Sequence, residues 1–209
     1  MPVQLRFVTG LAGAEYVTRE LWRLATLECC PLHPRGGCGF ARHGTYARKT
    51  PAGTLIARWY CPRGHQTFSL LPDHLAARFP GTLAEIERVG ATVEAAPSLS
   101  ACVEELRPDP VSLPSALRWI RRRLAPVRAL LPRVVTMLPQ CLAGCPPRIA
   151  TMRQRLGVDC LLPALRGTLS THLHVLLRPL GFADRACAPG AGPGGRQHDM
   201  GPDPPPAPS

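Results

Sequence analysis

Cys29-Cys30-Pro31-Leu32-His33-Pro34-Arg35-Gly36-Gly37-Cys38, followed beyond a short basic segment by Tyr60-Cys61-Pro62-Arg63-Gly64-His65, is the stretch that decides how this chain folds. Each of its two ends carries thiol and imidazole side chains a few residues apart among Pro and Gly. Residues so placed on a tight turn present lone pairs to one point, the arrangement a tetrahedral metal ion needs. Between the ends lie two alternating runs, Arg42 to Arg48 and Thr54 to Tyr60, joined by Thr50-Pro51-Ala52-Gly53. Two such runs around a Pro/Gly turn predict a β-hairpin.

Ligand pairs flanking a hairpin describe a zinc ribbon. The second turn offers Cys61 and His65, and in the first Cys30 pairs either with His33 or with Cys38 across Gly36 and Gly37. The favoured set is Cys30, Cys38, Cys61 and His65, with His33 as the substitute for Cys38. Cys29 can stand in for Cys30 but lacks the following proline. Four ligands without a neighbouring carboxylate describe a closed structural ion, not a catalytic one with an open position. A segment this small and polar has little core, so zinc supplies much of its folding energy.

Working outward, residues 1–28 are expected as an N-terminal helical segment, since Val17, Leu21, Leu24 and Leu27 follow helical spacing after Gly13. The ribbon occupies 29–80. From Gly81 the period lengthens: Leu83, Ile86, Val89 and Val93 predict a helix closed by Pro97, and Leu99, Cys102, Val103 and Leu106 a second ended by Pro108 and Pro110. A third, capped by Ser112 or Ser115, carries Leu117, Ile120, Leu124 and Val127, with Pro126 kinking or ending it. These three make a helical region over 81–131, short helices punctuated by prolines follow over 132–187, and the Pro/Gly-rich tail 188–209 is expected to be disordered. The expected class is α+β, mostly α.

The 209 residues carry a formal charge of +11 with Lys49 as the only lysine, so the positive charge is almost all arginine. Arginine's planar donor fork matches phosphate and guanine edges, which favours a nucleic-acid partner. The start lacks a basic region followed by a long apolar run, no stretch is long and apolar enough to span a membrane, and the expected location is cytoplasmic. Nine cysteines in a reducing compartment suit metal ligands and free thiols better than a disulfide framework.

The runs Arg42-His43-Gly44-Thr45-Tyr46-Ala47-Arg48, Ala57-Arg58-Trp59-Tyr60-Cys61-Pro62 and Thr67-Phe68-Ser69-Leu70-Leu71-Pro72-Asp73 together resemble the zinc ribbon near the N-terminus of bacterial insertion-sequence transposases and related uncharacterised proteins. The resemblance covers Cys29 to Pro80, about a quarter of the chain. The chain departs from that pattern by having His65 where the last Cys is usual, and by a widened first turn. What the resemblance implies is DNA binding, commonly with a helix-turn-helix downstream.

The residues agree with that implication. Arg42, Arg48, Lys49 and Arg58 place charge near Tyr46, Trp59 and Tyr60 on the hairpin. The first two helices after Gly81 carry Glu85, Glu87, Glu94, Glu104 and Glu105, whereas the third carries Arg118, Arg121, Arg122 and Arg123 with no acid. A basic third helix fits the reader of a helix-turn-helix, with Arg118, Arg121 and Arg122 facing DNA. Catalysis is not expected: no glutamate follows Glu105, and Asp109, Asp159 and Asp184 lie in Pro-rich breaks or near short helices. The sequence therefore describes a zinc-dependent DNA-binding protein of mobile-element type, an accessory factor or a relic of a transposase without its catalytic domain. Its further partners would be another copy of itself or a transposase. The alternative is a zinc-stabilised protein-interaction module.

Overall fold

The computed structural model describes residues 3–11, 13–49, 51–106 and 113–182, which form two compact units: one from the N-terminal part up to Asp73 together with Phe182, the other from His74–Gly181. Ser112, Pro108, Pro110, Asp109, Asp184 and the tail 188–209, on which several expectations rested, lie outside the described residues.

The first unit is a four-stranded sheet in the order β1-β4-β3-β2. Strands β2 (Ala41–Ala47) and β3 (Leu55–Cys61) form the expected antiparallel hairpin, pairing Arg42 with Trp59 and Tyr46 with Ile56. Gly53 at its turn has φ +75, a left-handed conformation that favours glycine. Strand β4 (Gln66–Pro72) returns antiparallel to β3, and β1 (Val3–Phe7) adds parallel to β4 with Leu5 opposite Leu70. Residues 1–28 are thus not a helical segment. After β1 comes only the six-residue α1 (Gly13–Thr18) and a 3-10 turn at Leu21–Arg23, with Glu20 in a left-handed conformation between them. Leu24 is 67 % exposed, so its spacing with Leu27 does not mark a buried face. The Tyr16 hydroxyl of α1 donates to the Leu55 carbonyl at 2.8 Å, and burial, above all, raises its pKa so that it stays a donor. Leu5, Leu27, Trp59, Phe68 and Leu70 form the core on one face of the sheet, with Phe40 stacked on Trp59 at 5.4 Å.

The second unit is helical. In α2 (Leu83–Ala95) the Thr82 hydroxyl accepts from the Glu85 amide at 3.0 Å while Glu85 accepts from the Thr82 amide at 2.7 Å, a reciprocal cap of the helix start. Next come α3 (Leu99–Leu106) and α4 (Leu113–Met137), whose Ala116, Ile120 and Leu124 pack with Val89, Cys102, Val103 and Leu106. Pro126 does not end the third helix: α4 runs on through it and through Pro132 for 25 residues. Each proline costs a helix interior roughly 3 kcal/mol. Val127, Leu130, Leu131 and Val134, all buried beyond Pro126, offset that cost. The short helices α5 (Pro139–Leu142), α6 (Ile149–Leu156) and α7 (Leu161–Thr168) follow.

Two glutamates of α2, seven residues apart and so on one face, hold this unit together. Buried Glu87 accepts from the Leu161 and Leu162 amides at 2.6 and 2.8 Å and from Arg153 Nε at 2.7 Å. Glu94 accepts from the Ile149 and Ala150 amides at 2.8 and 3.1 Å. Each carboxylate thereby satisfies amides that the first turn of α7 or α6 leaves without an intrahelical partner, and meets the positive end of that helix's dipole. Gly90 lies between them, where a Cβ would collide with Ile149 Cδ1. The absent side chain is what lets α6 approach α2.

Candidate metal centre

Three of the four donors come from the single loop between the 3-10 turn and β2, and the fourth is the last residue of β3. Cys30 and His33 face each other across an isolated bridge in which the His33 amide donates to the Cys30 carbonyl at 3.1 Å. Gly36 and Gly37, at φ +80 and +76, then turn the chain back so that Cys38 rejoins Cys30. A side chain at either position would be strained in that conformation. Cys30, His33, Cys38 and Cys61 each offer one ligand atom, and these atoms all lie within 4.8 Å of one another. The cluster can hold a metal ion. His33 Nδ1 is 3.3 Å from Cys61 Sγ and 3.6 Å from Cys30 Sγ.

Cys30, Cys38 and Cys61 are buried and belong to the core that contains Trp59 and Phe68. Burial pushes the Cys30 thiol up to about 12, with the Leu32 and His33 backbone hydrogen bonds acting against it. A coordinated ion reverses that preference, because a ligating thiol is deprotonated outright. The Gly64 amide donates to Cys61 Sγ at 3.2 Å and so supports the developing thiolate. A Cβ on Gly64 would meet Leu32 Cδ1 at 2.6 Å and Cys61 Sγ at 3.4 Å.

His33 and Cys38 therefore both join the cluster, where the sequence offered one as the substitute for the other, and His65 lies outside it. The turn after Cys61 explains the difference. The His65 amide donates to the Pro62 carbonyl at 3.3 Å, φ of His65 is +46, and its exposed ring stands with Nδ1 3.4 Å from the Tyr60 hydroxyl.

The hairpin arginines do not form one patch. Arg42 pairs with Trp59, and Arg58 is the residue before Trp59 on β3, so the two project from opposite faces of the sheet. Arg42 donates to the Arg23 and Trp22 carbonyls at 3.0 and 2.7 Å, bracing the 3-10 turn. Arg58 is half-buried with its guanidinium 6.0 Å from the Tyr46 ring centre. Arg48 is half-buried too, and burial lowers its pKa; Lys49 is exposed.

On α4 the picture differs. Arg118, Arg121 and Arg122 are exposed, as are Arg128 and Arg133, which sequence reasoning missed. Among the described residues none of these five makes an ion pair. Arg123 turns the other way, its guanidinium 4.6 Å from the Trp119 ring. The signal for Arg128 and Arg133 was the continuation of the arginine spacing past Pro126.

The site is thus a Cys3His cluster at the edge of a small β core. Comparison with protein-family models, with curated proteins and with solved structures yields no match, and none links the chain to transposases. No helix among the described residues is long and apolar enough to cross a membrane.

Proposed function

We propose that this chain is a zinc-dependent DNA-binding protein, in which a structural zinc ion closes the β unit and α4 contacts nucleic acid. Zinc suits the donors: three thiolates and an imidazole are a structural zinc set, and Zn–S and Zn–N bonds of about 2.3 and 2.0 Å imply S···N edges of about 3.5 Å. The separations of 3.3 and 3.6 Å at His33 match those edges.

The observation that carries the DNA reading is the exposed face of α4, with five arginines in a helix that has no acid. Residues 74–181 hold fourteen arginines against seven acids. Of those acids, Glu85, Glu87 and Glu94 are engaged in capping helix starts. A role in binding rather than catalysis agrees with this use of its carboxylates. Association with a mobile element rests on the resemblance of residues 29–80 to transposase ribbons.

Binding of the zinc-loaded chain to a fluorescent duplex should weaken steeply between 50 and 200 mM salt, because each neutralised phosphate contributes a slope of about 0.9 in log K against log salt. Anisotropy titrations at several salt concentrations measure this. No binding at the lowest salt would reject the DNA reading and leave a zinc-stabilised protein-interaction module.

A further inference from the structure

We infer that α4 lies lengthwise in the major groove of duplex DNA, with arginines from both of its flanks gripping the two phosphate walls; this rests on the DNA reading above. At 3.6 residues per turn, Arg121 and Arg128 fall in one row and Arg122 and Arg133 in another, roughly 120° apart around the helix. Arg118 falls between the rows near the start of the exposed face. Further along, the strip between the rows is occupied by Ala125, Ala129 and Pro132, all exposed. The opposite side holds the buried Ala116, Ile120, Leu124, Val127, Leu131 and Val134.

The dimensions suit a groove. An α-helix with its side chains is about 10–12 Å across and the major groove about 12 Å wide. From Arg118 to Arg133 the helix rises about 22 Å, the length of about six base pairs. Long side chains on the flanks reach the walls, while the small side chains between them admit the backbone toward the groove floor. Because Ala and Pro side chains donate no hydrogen bond, most contacts fall on phosphates, which fix position without reading sequence. Arg118 is the one arginine directed to the floor, where its fork matches the O6 and N7 of a guanine. This geometry differs from the end-on insertion of a recognition helix, in which only the first turns touch DNA and Arg128 and Arg133 stay outside.

The test uses the full zinc-loaded chain with a mixed-sequence 20-base-pair duplex and the corresponding single strand. Arg121→Gln/Arg128→Gln and Arg122→Gln/Arg133→Gln should each reduce the salt slope by about 1.8 and weaken duplex binding by at least about tenfold at 100 mM salt. Arg88→Gln, an exposed arginine on α2, should have a much smaller effect. Far-UV circular dichroism and melting should stay unchanged, since all four substituted positions are exposed. Undiminished duplex binding by Arg128→Gln and Arg133→Gln, while Arg121→Gln and Arg122→Gln lose it, would overturn the lengthwise placement but keep the DNA reading. Equal affinity for single strand and duplex would also overturn it. A wild-type chain that binds neither probe removes the DNA reading itself, and this proposal with it.

Discussion

Cys61→Ser and His33→Ala should each abolish stoichiometric zinc and unfold the β unit, whereas His65→Ala should retain the metal. Cys61 carries the strongest expectation. Its thiol is fully buried, joins the cluster from the end of β3, and sits among the residues that pack Trp59 and Phe68. Structural zinc contributes an apparent free energy of about 10–16 kcal/mol in zinc-finger peptides at neutral pH, comparable to or larger than the total stability of a small domain. Losing Cys61 leaves an open, weaker site and the buried thiols of Cys30 and Cys38 without a complete donor set. Elemental analysis of purified protein, with tryptophan fluorescence before and after chelation, reads both effects. Zinc retained in His33→Ala and lost in His65→Ala would replace the ligand set derived from the geometry. Acidification should act in the same direction as chelation, because protons compete with zinc for the thiolates and imidazole.

Glu87→Ala should be the most damaging substitution in the helical unit. It removes three hydrogen bonds, leaves the Leu161 and Leu162 amides buried without their acceptor, and deprives Arg153 of its counter-charge. Removing one partner of a buried ion pair costs about 3–5 kcal/mol. For a unit near 100 residues that corresponds to a fall in Tm of more than about 12 °C. Glu94→Ala, at a half-buried position that caps only α6, should cost about 1 kcal/mol. A calorimetric comparison of the two variants gives the ranking, and equal destabilisation would show that burial is not what sets the cost at Glu87.

The hairpin was legible because its strands alternate and a Pro/Gly turn joins them. β4 was harder to see, since all five residues from Phe68 to Pro72 are buried, Ser69 among them, and the strand therefore lacks an alternation of apolar and polar side chains. β1 is five residues long and depends on a partner far along the chain, which local pattern does not reveal. The prolines of α4 misled for another reason: local propensity opposes a helix there, and burial of the residues beyond Pro126 overrides it. At the metal centre, spacing identified the loop and the cysteines but suggested two ligands from each turn. Consecutive left-handed glycines draw three donors from the first loop, and the left-handed His65 removes the second turn's imidazole. The roles of the acids before α4 were likewise hidden from local pattern, because Glu87 and Glu94 accept from the starts of helices 55 to 75 residues further along the chain.

The parallel pairing of β1 with β4 also sets an order of events during synthesis. Leu5 meets Leu70 only after some sixty intervening residues have left the ribosome, while β2, β3 and β4 are linked by short turns and pair as they emerge. The loop with Cys30, His33 and Cys38 and the strand end at Cys61 precede β4 in the chain, so every donor of the cluster has emerged before that strand is complete. Until β1 docks, the outer edge of β4 is an unfilled slot beside buried Phe68 and Leu70. Docking of Val3–Phe7 therefore completes an edge that the hairpin and β4 by themselves leave with unpaired backbone groups.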